Sequence, residues 1–269
     1  MKLDRFLISY NGNKYLETKK YLKNLDISKY DIIAEPFCGI FGFSRALMEL
    51  NPDFKGEFYL NDIDKNLIDT FKRIVDDPYE YINDCEKISN TFETDAEMSS
   101  YFRKNKDDYR KLIYRHCQQQ IFNKIQGGRK IKNYKERIEN FNLFFKKCKF
   151  SSLENTEFLN SLPKDKKILI FFDPPYFDSN NSDYKGYMDY MDDKTEIIKD
   201  NTYFYIDILE NLKNKKNDCL LIINQISILD YLYKDFKKES FLKLYQNSSG
   251  AKVIKKRRTN HIIYSNFDL

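Results

Sequence analysis

DIIAEPFCGIFGFSRALMEL, Asp31 to Leu50, runs from an apolar stretch closed by a proline, through a glycine-containing turn, into apolar residues at helical spacing. Asp31 to Phe37 lacks the polar alternation of a half-exposed strand and reads as a buried parallel strand entering a ligand-type loop. Phe43, Ala46, Leu47 and Leu50 fall at i, i+3, i+4 and i+7, so a helix follows at once and stops before Asn51-Pro52. Downstream, Phe58 to Leu60 makes a second short strand, ended by Asn61-Asp62-Ile63-Asp64. Leu67, Ile68, Phe71, Ile74 and Val75 then keep helical period up to Asp77-Pro78. Alternation resumes with the strand Lys167 to Phe172, which ends in Asp173-Pro174-Pro175-Tyr176. The helical run Thr202 to Lys213 and the strand Cys219 to Ile223 follow. Phe241 to Tyr245 and His261 to Ser265 read as a final hairpin bracketing a basic loop. Between the two halves, roughly Asp76 to Cys148, lies a Lys/Arg-, Tyr- and Gln-rich stretch. Its helical segments are broken by Gly127-Gly128, and it shows no buried strand. The pattern predicts an α/β body with a mostly parallel sheet over 1–75 and 149–269, a C-terminal antiparallel hairpin, and an inserted, mainly helical lobe over 76–148.

Composition narrows the classes. The chain has 269 residues, 41% of them hydrophobic and 16% aromatic, which excludes a disordered chain. Charged residues make up 32%, and the longest apolar runs, KILIFF and CLLII, are far too short for a membrane span. MKLDRFLISY has neither the apolar core nor the cleavage site of a secretory signal, so a cytoplasmic, reducing location is expected and secretion is not. The five cysteines form no C-x-x-C pair, and His116 and His261 are the only histidines; no metal site is expected.

The formal charge of +5 is unevenly spread. Tyr101 to Lys149 carries fifteen Lys/Arg against four Asp/Glu, Ser249 to Asn260 carries five basic residues and no acidic one, and the remainder is correspondingly acidic. Two basic segments on an acidic body suit a polyanion-binding face. Composition alone leaves a second reading open, in which solvated lysines simply cover helices of a Lys/Asn/Ile-rich chain.

The chemistry-bearing motifs sit at strand ends. In Asp173-Pro174-Pro175-Tyr176, two prolines stiffen the backbone and remove its donors, leaving carbonyls that only accept. A carboxylate before them and an aromatic ring after make a rigid acceptor cup beside a stacking surface, at the end of a parallel strand where open α/β sheets bind ligands. An exocyclic amino group, a donor, fits it. The bland alternative is a Pro-Pro loop that merely ends a strand. Glu35-Pro36-Phe37-Cys38-Gly39 at the first strand tip, with Asp62 at the second, repeats the logic of a nucleoside cofactor: close backbone approach, then an acid accepting from ribose hydroxyls. A structural turn and a helix-leading acid would explain either one alone. Gly39 and Asp62 stand 23 residues apart, which suits one β-α-β crossover.

At these residues the chain resembles the amino-methylating DNA methyltransferases, specifically the Dam-type adenine-N6 family, and the likeness extends over most of its length. Tyr10-Asn11-Gly12-Asn13-Lys14 is similar to that family's N-terminal aromatic-x-Gly-x-Lys motif, EPFCG to its cofactor loop, NDID to its ribose-binding segment and DPPY to its catalytic signature. The resemblance implies a Rossmann-like S-adenosylmethionine-dependent methyltransferase fold with no metal. It implies cofactor contacts at Tyr10, Lys14, Glu35, Phe37, Gly39, Asp62, Ile63 and Asp173, and a catalytic set of Asp173, Pro174, Pro175 and Tyr176. Glu157 in ENTEFL stands where an Asp-aromatic pair commonly meets the cofactor adenine. The acceptor would be an adenine flipped out of duplex DNA. The cofactor loop precedes DPPY by about 135 residues, room for a target-recognition insertion. That resolves the charge question toward DNA, with Arg129, Lys130 and Lys132 as phosphate or base contacts and Lys255, Lys256, Arg257 and Arg258 as backbone-phosphate contacts.

The family usually has Gly-x-Gly after this loop, whereas here Gly39-Ile40-Phe41-Gly42 puts a phenylalanine at the second glycine. Phe41 either packs inward under the following helix while Gly42 supplies the permissive backbone, or obstructs the cofactor; the first is the expectation. The region FNKIQGGRKIKNY looks shorter than the family's DNA-reading hairpin, so no recognition sequence is carried over. The alternatives are a catalytically silent nucleic-acid-binding scaffold, or a methyltransferase acting on RNA or on cytosine amino groups. The absence of a heptad seam favours a monomer, and nothing in the sequence shows a companion restriction enzyme.

Overall fold

The computed structural model describes residues 13–105, 134–176, 202–246 and 256–269. In chain order its elements are α1 (Tyr15–Tyr21), β1 (Ile32–Glu35), α2 (Gly42–Leu50), β2 (Glu57–Asn61), α3 (Lys65–Asp76), α4 (Pro78–Thr91), α5 (Asp95–Lys104) and α6 (Tyr134–Phe145). Then come β3 (Cys148–Ser151), α7 (Asn155–Ser161), β4 (Ile168–Phe172), α8 (Thr202–Asn214), β5 (Asp218–Asn224), α9 (Ser227–Leu232), β6 (Lys237–Gln246) and β7 (Lys256–Ser265).

The seven strands form one sheet in the order β3-β2-β1-β4-β5-β7-β6. β4 pairs parallel with β1 (Ile32↔Ile168) and with β5 (Phe171↔Leu220), and β2 pairs parallel with β3 (Leu60↔Phe150). β7 runs antiparallel to both β5 and β6, as expected of the C-terminal hairpin. The central strands β1 and β4 are buried along their whole length, which is why their sequences are continuous apolar runs. The sheet changes direction of travel between β1 and β4, the switch point at which open α/β sheets leave a crevice beyond the strand ends.

The chain divides into two compact units, Met1–Lys23 with Cys38–Glu154 and Asn24–Phe37 with Asn155–Leu269. In the first, α3 begins where Asp64 accepts from the Leu67 amide at 3.2 Å, and ends at Asp77. Asp77 in turn caps α4 by accepting from the Tyr79 and Glu80 amides, with Pro78 as the first helical residue, where its missing N–H costs nothing. The core of this unit is aromatic. Phe41 meets Phe71, Phe141, Phe144 and Phe145 at ring-centroid distances of 5.1 to 6.0 Å, and Phe144 also meets Phe58. α6, at the end of the segment expected as an inserted lobe, therefore contributes three rings to the same core as β2 and α3. In the second unit, Tyr205, Tyr233 and Tyr264 are buried, and the rings of Tyr233 and Tyr264 meet at 5.2 Å.

Within the sheet, two features depart from the sequence reading. β3 escapes periodicity: it is four residues long, only partly buried and at the edge of the sheet, so its sequence, CKFS, carries neither an apolar run nor a clean alternation. β6 and β7 extend further than expected, because cross-strand pairing recruits polar residues that periodicity assigns to the loop. Lys256, Arg257 and Arg258 consequently lie in β7, opposite Gln246, Tyr245 and Leu244. Among the described residues no helix is long and apolar enough to cross a membrane.

Candidate active site

The first unit builds an acidic, glycine-bent corner. Gly39 has φ +48°, a conformation that glycine adopts without a Cβ penalty. The turn exposes two amides toward β2: Cys38 N donates to the Asn61 carbonyl at 2.8 Å, and Gly39 N donates to Asp62 Oδ2 at 2.8 Å. The second carboxylate oxygen, Oδ1, accepts from the Asp64 amide at 3.0 Å. Each oxygen has further acceptor capacity for a hydroxyl donor. Burial pushes the Asp62 pKa up to about 6, helped by the neighbouring Asp64 charge and opposed by the two backbone amides. A desolvated carboxylate held by backbone amides suits a ribose diol. Ile63 beside it is 43% exposed, an apolar face next to a polar anchor.

Asn61 holds this corner in place. Its Nδ2 donates to the Leu153 carbonyl at 2.9 Å, while its Oδ1 accepts from Ser151 Oγ at 2.8 Å and from the Leu153 amide at 2.9 Å. Ser152 Oγ donates to the Ile63 carbonyl at 3.3 Å. The segment after β3 is thus tied to the segment after β2. Sequence reasoning missed Asn61, Ser152 and Leu153, although Asn61 stands inside the NDID string, whose motif reading turns on its acid alone.

Phe41 points into the core and is fully buried, so the inward expectation holds for its ring. The expectation for Gly42 does not. Phe41 itself has φ +45°, and Gly42 is the first residue of α2 without a positive φ. The left-handed conformation costs a non-glycine residue about 1–2 kcal/mol. Burial of a phenylalanine among four rings outweighs it, since emptying such a site costs about 3–5 kcal/mol. Gly42 is needed for close approach: a Cβ there would overlap Asn13 Oδ1 and come within 3.0 Å of the Lys14 amide. Asn13 Oδ1 also accepts from the Tyr15 amide at 2.9 Å and opens α1. Lys14 follows it and is almost wholly buried, unusual for lysine. α1 is fastened to α2 by Tyr15, whose hydroxyl donates to Glu49 at 2.6 Å and whose ring lies 3.9 Å under the Arg45 guanidinium. Tyr10, at the start of this motif, lies outside the described residues.

The second unit holds the loops after β1 and β4. Glu35 ends β1 and is buried, and Phe37 is half-buried. Beyond β4, Pro174 is buried while Asp173, Pro175 and Tyr176 are half-buried. Tyr205 on α8 donates its hydroxyl to the Pro175 carbonyl at 3.0 Å, and its neighbour Phe204 meets the Phe37 ring edge-on at 5.5 Å. Behind Tyr176 stands His261 of β7, fully buried, its ring edge-on at 5.5 Å and its Nδ1 3.5 Å from the tyrosine hydroxyl. His261 packs on Phe241, its cross-strand partner in β6. Phe204, Tyr205 and His261 are invisible to motif reading because they reach the loops through space. Glu157 is exposed in the first turn of α7. Arg129, Lys130, Lys132 and Lys255 lie outside the described residues, and Lys256 to Arg258 stand at the start of β7. Among the described residues no cluster of three His, Cys, Asp or Glu side chains suits a metal ion.

The seven-stranded, mostly parallel sheet, with its strand order reversing between β1 and β4, has the Rossmann-like fold of the methyltransferases. The model of one family, the D12 class N6 adenine-specific DNA methyltransferases, matches residues 10–259, and the chain belongs to that family. It is accordingly an S-adenosylmethionine-dependent enzyme that methylates adenine N6 in DNA. No curated protein matches the chain. Among solved structures it is similar to a Pyrococcus horikoshii protein provisionally described as an RNA methyltransferase, at 11% identity, covering 98% of this chain and 86% of that one with a TM-score of 0.44. A precorrin-6y C5,15-methyltransferase from Geobacter metallireducens gives 9% identity, 91% and 84% coverage and a TM-score of 0.36. The hMettl16 catalytic domain in complex with a MAT2A 3′UTR hairpin gives 10% identity, 100% and 75% coverage and a TM-score of 0.43. Likenesses this distant carry no argument about substrate, and the assignment rests on the family match.

Proposed function

We propose that Asp173, Pro174, Pro175 and Tyr176 form the adenine-accepting loop of this methyltransferase, and that Tyr10, Lys14, Glu35, Phe37, Gly39, Asp62, Ile63, Glu157 and Asp173 hold the cofactor. The observation that carries the first half is the hydrogen bond from Tyr205 to the Pro175 carbonyl. It fixes the backbone of the loop at Pro175, beside the Asp173 carboxylate and the Pro174 carbonyl, which we assign to the two N–H bonds of an adenine amino group. The Asp62 corner supports the second half, because its desolvated carboxylate fits a ribose diol.

S-adenosylmethionine, when bound, supplies an electrophilic methyl group. Asp173 and the Pro174 carbonyl orient the amino nitrogen so that its lone pair leaves ring conjugation, and they stabilise the positive charge that grows on it. Tyr176, backed by His261, offers its ring as the stacking surface, offsetting part of the cost of unpairing the base. No strong general base is required, because the amino proton becomes acidic as charge develops.

Residues 76–148 would then serve as the target-recognition lobe, with Arg129, Lys130 and Lys132 meeting DNA and Lys255, Lys256, Arg257 and Arg258 holding backbone phosphates. The concentration of positive charge in these segments supports that reading. The enzyme acts as a monomer in the compartment that holds its DNA. Transfer of labelled methyl to defined duplexes, followed by nucleoside analysis, tests the proposal. N6-methyladenine should form with the wild type and vanish with Asp173→Ala while duplex binding persists. Retained turnover in that variant would refute the assignment.

A further inference from the structure

Two adjacent residues in the first turn of α8 reach two different loops. Phe204 meets Phe37, in the loop after β1, edge-on at 5.5 Å and 80°. Tyr205 donates to the Pro175 carbonyl, in the loop after β4, at 3.0 Å. β1 and β4 are parallel neighbours at the switch point, so both loops leave the same edge of the sheet. One rigid turn of helix therefore touches the segment assigned to the cofactor and the segment assigned to the amino group.

That turn is itself anchored. Tyr205 is buried, and its backbone carbonyl accepts from the Tyr233 hydroxyl at 2.7 Å. Tyr233 is fully buried against Tyr264, ring centroids 5.2 Å apart, and Tyr264 donates to Asp230 at 2.6 Å. Asp230 is also held by Lys238 at 2.6 Å and by Gln225 at 3.0 Å. This series of bonds ties the start of α8 to α9 and the C-terminal hairpin, so the Tyr205 hydroxyl has a fixed place from which to donate. An amino group has two hydrogens, and the Asp173 carboxylate with the carbonyls of Pro174 and Pro175 presents more acceptor sites than two, so their placement decides where the nitrogen sits. A loop free to shift would give the nitrogen a second seat, displaced from the line of transfer.

We propose that Phe204 and Tyr205 are a pair of positioning residues for methyl transfer, Tyr205 fixing the Pro175 carbonyl and with it the loop after β4 so that the amino nitrogen has one seat, and Phe204 fixing Phe37 for cofactor binding. The inference rests on the reading of Asp173–Tyr176 as the acceptor loop. It predicts a division of kinetic effects that a purely structural role would not produce. Tyr205→Phe, which deletes one oxygen, should lower the single-turnover methylation rate by about ten- to hundred-fold, the usual cost of a small misplacement. Its cofactor Kd by calorimetric titration and its thermal midpoint should stay at wild-type values. Phe204→Leu, which keeps most of the packing volume but removes the aromatic edge, should weaken calorimetric cofactor binding by about tenfold, on the scale of one aromatic pair, with little change in rate at saturating cofactor.

A Tyr205→Phe rate equal to wild type overturns the proposal, as does a loss of rate, affinity and thermal midpoint together in both variants. Failure of the underlying reading has a different signature: Asp173→Ala would then retain turnover, whatever the behaviour of the pair.

Discussion

The Gly39 amide and the Asp62 carboxylate meet at 2.8 Å, so the loop after β1 is fastened to the loop after β2 by the side chain proposed to bind the cofactor ribose. The bond does two things. It sets the turn at a positive-φ glycine, and it keeps a desolvated carboxylate oriented by backbone donors before any ligand arrives.

Cofactor affinity should therefore depend on pH in a stated direction. Asp62 titrates at about 6 in the folded chain, against 3.8 for an ordinary aspartate. Protonation removes an acceptor for the ribose hydroxyls, so affinity should fall as pH drops through about 6. The effect on the free protein has the opposite sign. A raised folded-state pKa contributes stability that is complete below 3.8 and lost as pH rises through about 6. Calorimetric titrations of wild type and Asp62→Asn from pH 5 to 8 check both the inflection and its source. The variant should bind about 30-fold more weakly at pH 8, for the loss of roughly 2 kcal/mol of charge-assisted hydrogen bonding, and should show no inflection near 6.

Restoring a glycine at position 41 should harm the protein. Phe41→Gly relieves a left-handed conformation worth about 1–2 kcal/mol but empties a site in which a phenylalanine is worth about 3–5 kcal/mol, leaving a net loss near 2–3 kcal/mol. Denaturant unfolding should show a lower midpoint, and a higher one would contradict the packing account.

Gly42→Ala offers a separate test of the α1–α2 approach. Alanine normally gains about 1 kcal/mol over glycine within a helix, whereas overpacking costs about 1–3 kcal/mol. Overlap with Asn13 Oδ1 should make the second effect win and displace the start of α1, where Lys14 sits. The expected outcome is no gain in thermal midpoint together with weaker cofactor binding.

Replacing Arg129 and Lys130 with Ala should weaken duplex binding and reduce the slope of log K against log salt by about one for each phosphate that is no longer neutralised, leaving cofactor affinity intact. An unchanged slope would remove the insertion from the DNA face.

Much of this was legible in the chain because it is local. The apolar runs Ile32–Glu35 and Ile168–Phe172 need no partner to be recognised as buried strands, and the proline-stiffened tetrapeptide and EPFCG loop carry their chemistry in consecutive residues. The string ending in Asp64 and the pair Asp77-Pro78 bound the helical period that became α3. What escaped is what depends on neighbours. β3 is a strand because β2 pairs with it, and the polar residues at the ends of β6 and β7 are strand because they face each other.

For the site the division is similar. Sequence by itself determined the family, the order of the motifs and the acceptor character of the loop after β4, since these follow from which atoms successive residues carry. Tertiary structure decided that Phe41 rather than Gly42 bears the left-handed turn, because the energy holding it comes from rings on α3 and α6. It also brought Tyr205 to Pro175 and His261 to Tyr176, across 30 and 85 residues of chain. Such contacts leave no periodic trace, because a single side chain meeting a loop from another element imposes no pattern on the residues beside it.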